Sequence, residues 1–152
     1  MILAANNMYG EKGPRYAFCR YGNVVGSNGS VIPLFQKQYA ANRPFTITDA
    51  KMTRFWISLE YASRFVLAAV ASMNNDRRVY IPTMMATNVL DVAYAIGGKR
   101  YPINFIGIRP GEKIHETIAL EGEGGFTEEY RSDMAPLMSV RQIRRELKKL
   151  WS

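Results

Sequence analysis

Tyr16-Ala17-Phe18-Cys19-Arg20-Tyr21-Gly22-Asn23 and Ile103-Asn104-Phe105-Ile106-Gly107-Ile108-Arg109-Pro110-Gly111-Glu112-Lys113 are the two stretches whose reading decides the fold. Each begins with a short apolar run that alternates little, the pattern of a strand covered on both faces. Each ends in a polar loop, and the carboxyl end of a parallel strand is where α/β proteins usually bind ligands. Arg20, Arg109 and Asn23 at such strand ends suit a diphosphate. An arginine offers a planar fork of donors to phosphate oxygens, and its charge is permanent. The pair of stretches therefore points to an α/β layer fold with a phosphate-bearing, nucleotide-sugar type of ligand.

Outward from these strands, helices and strands alternate. Met1 to Met8 reads as the end of a helix closed at Gly10, and Gly13-Pro14 as a turn. The loop from Gly22 to Ser30 is rich in glycine and small polar residues. Ser30 is placed to cap a helix over Val31–Ala41 that tolerates Pro33 in its first turn. Asn42-Arg43-Pro44 breaks that helix, and Phe45-Thr46-Ile47-Thr48 forms a short, partly exposed strand. Asp49 to Trp56 reads as a loop. Leu59 to Met73 follows as an amphipathic helix with Ala62, Phe65, Val66, Ala69 and Val70 on one face. Arg78 to Pro82 is a further strand. Thr87 caps a helix that ends at Gly97-Gly98, and Pro102 to Ile108 is the strand before the Arg109 loop. Ile114 to Leu120 reads as a short helix, Glu121 to Gly125 as an acidic loop, and Ser139 opens a last helix to Leu150.

With 152 residues the chain can bury one core, and 47% apolar residues make it globular rather than disordered. The run Phe65-Val66-Leu67-Ala68-Ala69-Val70-Ala71 is too short to cross a bilayer, so no membrane partner is expected. The one cysteine, Cys19, excludes an internal disulfide framework and fits a reducing, cytoplasmic location. As a core strand residue it reads as filler before it reads as a catalytic thiol. One Cys and one His leave no zinc site. The net charge of +7 raises nucleic acid as a partner. The densest basic run, Arg141, Arg144, Arg145, Lys148 and Lys149, has helical spacing near the end of the last helix, which a solvated face with favourable cations explains without a ligand.

Several motifs are missing. None of the 12 glycines forms a Gly-x-Gly-x-x-Gly turn between a strand and a helix, and none of the 9 tyrosines has a lysine four residues on. Gly26-Ser27-Asn28-Gly29-Ser30 lacks the lysine of a phosphate-cradling loop. His115 reads as a helix-surface residue without an orienting partner.

Three blocks carry a family resemblance. The first is Phe18-Cys19-Arg20-Tyr21-Gly22-Asn23-Val24-Val25-Gly26-Ser27-Asn28-Gly29-Ser30-Val31-Ile32-Pro33-Leu34-Phe35. The second is Thr46-Ile47-Thr48-Asp49 with Met52-Thr53-Arg54-Phe55-Trp56-Ile57. The third is Ile106-Gly107-Ile108-Arg109-Pro110-Gly111-Glu112-Lys113-Ile114-His115-Glu116. Together, and in their spacing, they resemble the UDP-N-acetylglucosamine 4,6-dehydratases of bacterial surface-polysaccharide and flagellin-glycan synthesis, an extended short-chain dehydrogenase/reductase group. The likeness implies the C-terminal part of an extended Rossmann-type fold, including its substrate-binding region. It makes residues 1–152 a single partial domain whose N-terminal dinucleotide-binding half, with the glycine-rich loop and the Tyr-x-x-x-Lys pair, is absent. A gene fragment, one piece of a split enzyme and a truncation all fit, and the partners implied are a UDP-sugar and either the missing half or further copies of the chain.

In the intact family the resemblance implies oxidation of the sugar at C4 with NADP, loss of water across C5 and C6, and hydride return to C6. Residue by residue it implies that Asn23 reaches the substrate near its diphosphate, that Tyr21 and Gly22 lie beside the nicotinamide, and that Arg54 and Arg109 meet the diphosphate. Glu112 would accept bonds from ribose hydroxyls, and Ser30, Val31 and Thr46 would line the nucleoside end. No catalytic residue is assigned within the chain, which is expected to be inactive alone and poorly stable.

Simpler readings stand beside these. Arg54 could pair with Asp49 or Glu60, and Arg20 with a buried acid. Phe55 and Trp56 could be core rather than a sugar platform. Lys113 and Glu116 could form a solvated helix face, and Gly111 could only shape its turn. A different nucleotide-sugar epimerase or dehydratase of the superfamily, or a non-catalytic basic binding module, also remain open.

Overall fold

In a computed structural model the described residues are 6, 8, 13–73 and 79–150. Most of the expected opening helix, its closure at Gly10, and Arg78 lie outside them. Asn6 and Met8 are helical, and the Asn6 amide clasps the backbone of Tyr16, donating to its carbonyl at 2.7 Å and accepting its N–H at 2.8 Å.

The chain then alternates strand and helix. Strand β1 is Phe18–Cys19 and β2 is Asn23–Val24; helix α1 is Val31–Ala40. Ser30 occupies the cap position of α1, but its side chain makes no capping bond. Asn42, in the left-handed region at φ 52°, turns the chain after α1 toward β3, Phe45–Ile47. Gln38 of α1 clasps β3, donating to the Thr46 hydroxyl at 2.8 Å and accepting the Thr46 N–H at 3.1 Å.

The segment read as a loop from Asp49 to Trp56 is instead strand β4 over Thr53–Ile57. It alternates as strands do: Thr53, Phe55 and Ile57 are buried, while Arg54 and Trp56 are partly exposed. Helix α2 is Leu59–Ala71, capped by Ser58, whose side chain accepts the Tyr61 N–H at 3.1 Å. Its apolar face is only partly covered. Of the five apolar residues of that face, Ala62 and Ala69 are buried, Phe65 and Val66 are half-buried, and Val70 is 61% exposed.

Strands β5, Val79–Tyr80, and β6, Met85–Asn88, follow. Asn88, not Thr87, caps helix α3, Val89–Gly97, accepting the Leu90 N–H at 2.8 Å; Thr87 is a buried residue of β6. Strand β7 is Ile103–Phe105. The helix expected over Ile114–Leu120 is absent: Thr117–Ala119 is strand β8, paired antiparallel with β9, Tyr130–Arg131. Helix α4, Val140–Leu150, ends the described chain.

The pairings explain how distant segments meet. β2, β4 and β6 form one sheet, β2 parallel to β4 with Asn23 opposite Trp56, and β6 antiparallel to β4. β3 runs parallel to β7, with Thr46 opposite Asn104, and β1 parallel to β5. One apolar cluster joins Phe35 of α1, Phe45 and Ile47 of β3, Val92 of α3, and Ile143 and Leu147 of α4. A smaller one holds Phe55, Ile57, Ala62, Met84, Ala86 and Ala135. Phe35 and Phe45 are fully buried with ring centroids 4.8 Å apart, a tilted aromatic pair at the centre of the first.

Candidate functional site

A cleft of about 350 Å³ opens between the start of α1, strands β2, β3 and β4, the start of α3, and the loop after β7. Asn23, Ser30, Val31, Thr46, Arg54, Arg109 and Glu112, drawn from all three sequence blocks, line it. Phe55 and Trp56 line it as well, although Phe55 is also a core residue with 1% exposure.

The polar groups of this cleft are set differently from one another. Arg109 and Glu112 belong to one tight turn. The Glu112 N–H donates to the Arg109 carbonyl at 3.0 Å, with Pro110 second and Gly111 third at φ 81°. Proline followed by a glycine in the left-handed region is the requirement of a type II turn, so Gly111 shapes the loop. Glu112 accepts from the Thr48 hydroxyl at 3.2 Å and the Arg109 N–H at 3.4 Å, which leaves lone pairs for a hydroxyl. The Arg109 guanidinium makes no hydrogen bond or ion pair with the described residues, so its whole fork is available.

Arg54 is different. It pairs with neither Asp49 nor Glu60. It donates to the carbonyls of Thr53 at 2.7 Å, Ile114 at 2.9 Å and Lys113 at 2.8 Å, and its Nε stands 3.8 Å from Glu116. Its fork therefore ties the Arg109 loop to β4, and what it brings to the cleft is chiefly charge. Ser30 Oγ is buried without a hydrogen-bond partner at the rim of the cleft, an acceptor and donor left open.

Tyr21 and Gly22 do not line the cleft. The Tyr21 ring packs edge-on against Phe65 at 6.5 Å, and the Gly22 N–H meets Met84 Sδ at 3.3 Å. A Cβ on Gly22 would collide with the Phe55 side chain, which gives this glycine a packing reason of its own.

Glu116 was the residue missed. Read as part of a solvated helix face, it lies instead in extended chain beside β4. It accepts the Phe55 N–H at 3.1 Å, and both of its oxygens lie against the Asn23 amide, at 2.8 and 2.9 Å from the end assigned as nitrogen because an oxygen there would face only acceptors. Burial lifts its pKa above the ordinary carboxylate range, against the opposing pull of the Phe55 N–H and of Arg54. The signal that could have found it is the strand pattern of Thr53–Ile57, which brings a carboxylate near a strand N–H.

His115 also differs from expectation. It is not on a helix and it has partners: its Nδ1 lies 2.8 Å from the hydroxyl of buried Thr53, itself 2.7 Å from Ser132, and its Nε2 stands 3.8 Å from Asp133. Arg20 pairs with Glu123 at 2.7 Å in a partly exposed bridge. Among the basic residues of α4, Arg144 donates to the carbonyls of Ala95 and Tyr94 at the end of α3, a structural use. Among the described residues there is no group of three or more His, Cys, Asp or Glu placed for a metal, and no helix long and apolar enough to cross a membrane.

The alternating strands and helices and the cleft at the strand ends define the class: a mixed α/β, partial Rossmann-like fold. Pen from Bacillus thuringiensis shares that fold with a TM-score of 0.84 at 26% identity, over 97% of this chain and 53% of that one. The UDP-N-acetylglucosamine 4-epimerase from Methanobrevibacter ruminantium, solved with UDP-N-acetylmuramic acid, shares it with a TM-score of 0.61 at 18% identity, over 99% of this chain and 50% of that one.

The chain belongs to the family described as polysaccharide biosynthesis protein, whose pattern matches residues 1–136. It is 38% identical over 147 residues to an inverting UDP-N-acetylglucosamine 4,6-dehydratase from Campylobacter jejuni, covering 96% of this chain and 43% of that enzyme. It is also 38% identical over 129 residues to the capsular polysaccharide biosynthesis protein CapD from Staphylococcus aureus, covering 81% of this chain and 21% of that protein. The chain thus spans less than half the length of these curated relatives.

Proposed function

We propose that this chain is the nucleotide-sugar-binding portion of a UDP-N-acetylglucosamine 4,6-dehydratase acting in surface-polysaccharide or glycan synthesis. The observation that carries the reading is the convergence of Asn23, Ser30, Val31, Thr46, Arg54, Arg109 and Glu112 on one cleft. In this reading the free Arg109 fork grips the diphosphate, with Arg54 adding charge nearby. Glu112 accepts from ribose hydroxyls, and Ser30, Val31 and Thr46 meet the nucleoside. Binding energy gathered on the UDP moiety, remote from the reacting carbons, holds the sugar in place.

NADP would supply the hydride chemistry when bound. This chain's contribution to that site is confined to the Tyr21 and Gly22 edge, with the dinucleotide-binding and proton-moving groups supplied by an N-terminal half in the same or another chain. The location is cytoplasmic, and assembly with that half or with further copies covers the exposed side of α2. The identity to the Campylobacter jejuni enzyme supports dehydration. A second reading, 4-epimerisation, is favoured by 39% identity over 111 residues to UDP-glucose 4-epimerase from Rickettsia bellii.

Product analysis of the chain mixed with a family N-terminal half, NADP and UDP-N-acetylglucosamine separates the two. A keto sugar lighter by one water supports the dehydratase, and a C4 epimer of unchanged mass replaces it with the second reading. The chain alone should give neither, so turnover without the partner half would refute the division of labour.

A further inference from the structure

An asparagine side chain has two ends of nearly the same shape and opposite hydrogen-bonding sense. Left alone, such an amide can turn either end to a ligand. Asn23 is not left alone: one end of its amide lies 2.8 and 2.9 Å from the two oxygens of Glu116, and that end is assigned as the nitrogen because an oxygen there would meet only acceptors. An ionised carboxylate only accepts, so it admits the nitrogen end and repels the oxygen end. The clamp on Glu116 is itself braced. The Phe55 N–H of β4 donates to Oε2 at 3.1 Å, and the Glu116 N–H donates to Ser132 Oγ at 2.9 Å. Ser132 is fully buried and donates to the Thr53 carbonyl at 3.2 Å, fastening the Glu116 backbone to β4 as well. The same carboxylate has Arg54 Nε at 3.8 Å. Glu116 thus joins β2, β4 and the chain following the Arg109 turn at one point, while not itself lining the cleft.

Resting on the cleft being the nucleotide-sugar site, we propose that Glu116 is a positioning residue for that site: it fixes the orientation of the Asn23 amide, and so the hydrogen-bonding sense in which Asn23 meets the ligand. The residue acts through Asn23 and does not touch the ligand. A glutamine of the same shape would remove the constraint, because its own amide can rotate to match either end of Asn23. An aspartate would keep an acceptor-only group on a shorter arm.

The test has a ligand-free arm and a ligand arm, both on the whole chain. In the first, hydrogen exchange of the Asn23 side-chain NH₂ is followed by NMR. Loss of a charged-acceptor hydrogen bond is expected to speed that exchange roughly 10-fold or more in Glu116→Gln. Glu116→Asp is expected to lie between wild type and Glu116→Gln. In the second arm, UDP-N-acetylglucosamine is titrated into wild type, Glu116→Gln, Asn23→Ala and the double variant. Each single change is expected to weaken binding about 10-fold, and the double variant no further than Asn23→Ala alone, the signature of one residue acting through the other.

Unchanged amide exchange in Glu116→Gln, or single-variant losses that simply multiply in the double variant, would overturn the proposal. Faster exchange with unchanged affinity in Glu116→Gln would overturn the positioning role while leaving the cleft reading intact. A wild-type chain that takes up no UDP-sugar would instead overturn the cleft reading, and the role with it, whatever the amide exchange shows.

Discussion

Replacing Gly22 by alanine should destabilise the folded chain even with no ligand present. The added Cβ would land on the Phe55 side chain and approach the Phe55 backbone, whose Cα and carbonyl carbon lie 3.3 Å from its ideal position. Phe55 cannot give way cheaply. It is 1% exposed, sits in the middle of β4, and is held between β2 and β6. Gly22 is not among the glycines with positive φ, so lost space rather than backbone strain sets the cost. Overpacking of this kind costs about 1–3 kcal/mol, partly offset by the ~0.4–1 kcal/mol that alanine gains by restricting the unfolded chain. The collision with the Phe55 side chain places the cost at the upper end of that range, for a net loss of about 2–2.6 kcal/mol, and at roughly 2–4 °C per kcal/mol for a chain of this size the unfolding temperature should fall by about 4–10 °C. Urea unfolding followed by circular dichroism checks this: the midpoint should drop with the slope unchanged. A midpoint equal to or above wild type would refute the packing argument and return Gly22 to a purely ligand-facing role.

Two serines at helix starts should behave in opposite ways. Ser58→Ala removes the bond to the Tyr61 N–H and should cost about 1 kcal/mol, whereas Ser30→Ala removes a buried hydroxyl with no partner and should leave unfolding unchanged or slightly improved. Phe35→Ala, at a fully buried position stacked near Phe45, should cost about 3–5 kcal/mol in the same urea assay. The pH dependence of unfolding should carry two contributions of opposite sign. Glu123 is held below the ordinary glutamate range by the Leu120 N–H and then by Arg20, so its stabilisation is present above the unfolded pKa and lost as pH falls through the folded one. Burial raises Glu116, so its protonation favours the folded chain as pH falls, and the penalty is complete only above its folded pKa. Glu123→Gln should therefore flatten the loss of stability on acidification, and a thermal-unfolding series against pH that leaves it as steep would count against the assigned cause.

The parts of the fold legible in the sequence were those with strong punctuation. Helix α1 is bounded by Ser30, Pro33 and Asn42-Arg43-Pro44, and α4 by Ser139 with a clear apolar stripe through Ile143 and Leu147. The strands that were lost are short and carry misleading residues. In Thr53–Ile57 the period of two is present, but a buried threonine and partly exposed Arg54 and Trp56 disguise it, and only the pairing with β2 and β6 makes it a strand. Met85–Asn88 hides because two of its residues, Thr87 and Asn88, are both good caps, and the structure uses the second. Thr117–Ala119 is stabilised from afar by β9 across an irregular pairing, which no local pattern announces. That error propagated into the site. On a helix Glu116 would pair with its own surface, whereas in extended chain it reaches Phe55 and Asn23. The cleft residues themselves were legible through the resemblance, since the residues alone left Arg54 open to a surface ion pair with Asp49 or Glu60 and gave Glu112 no role of its own.

Calorimetric titration of UDP-N-acetylglucosamine into the whole chain and its Arg109→Ala variant tests the central claim most directly. The account predicts saturable binding to the wild type and a loss of about 10–100-fold in the variant, the worth of a charge-assisted fork of about 1.5–3 kcal/mol. Equal binding by both, or no binding by the wild type, would contradict it.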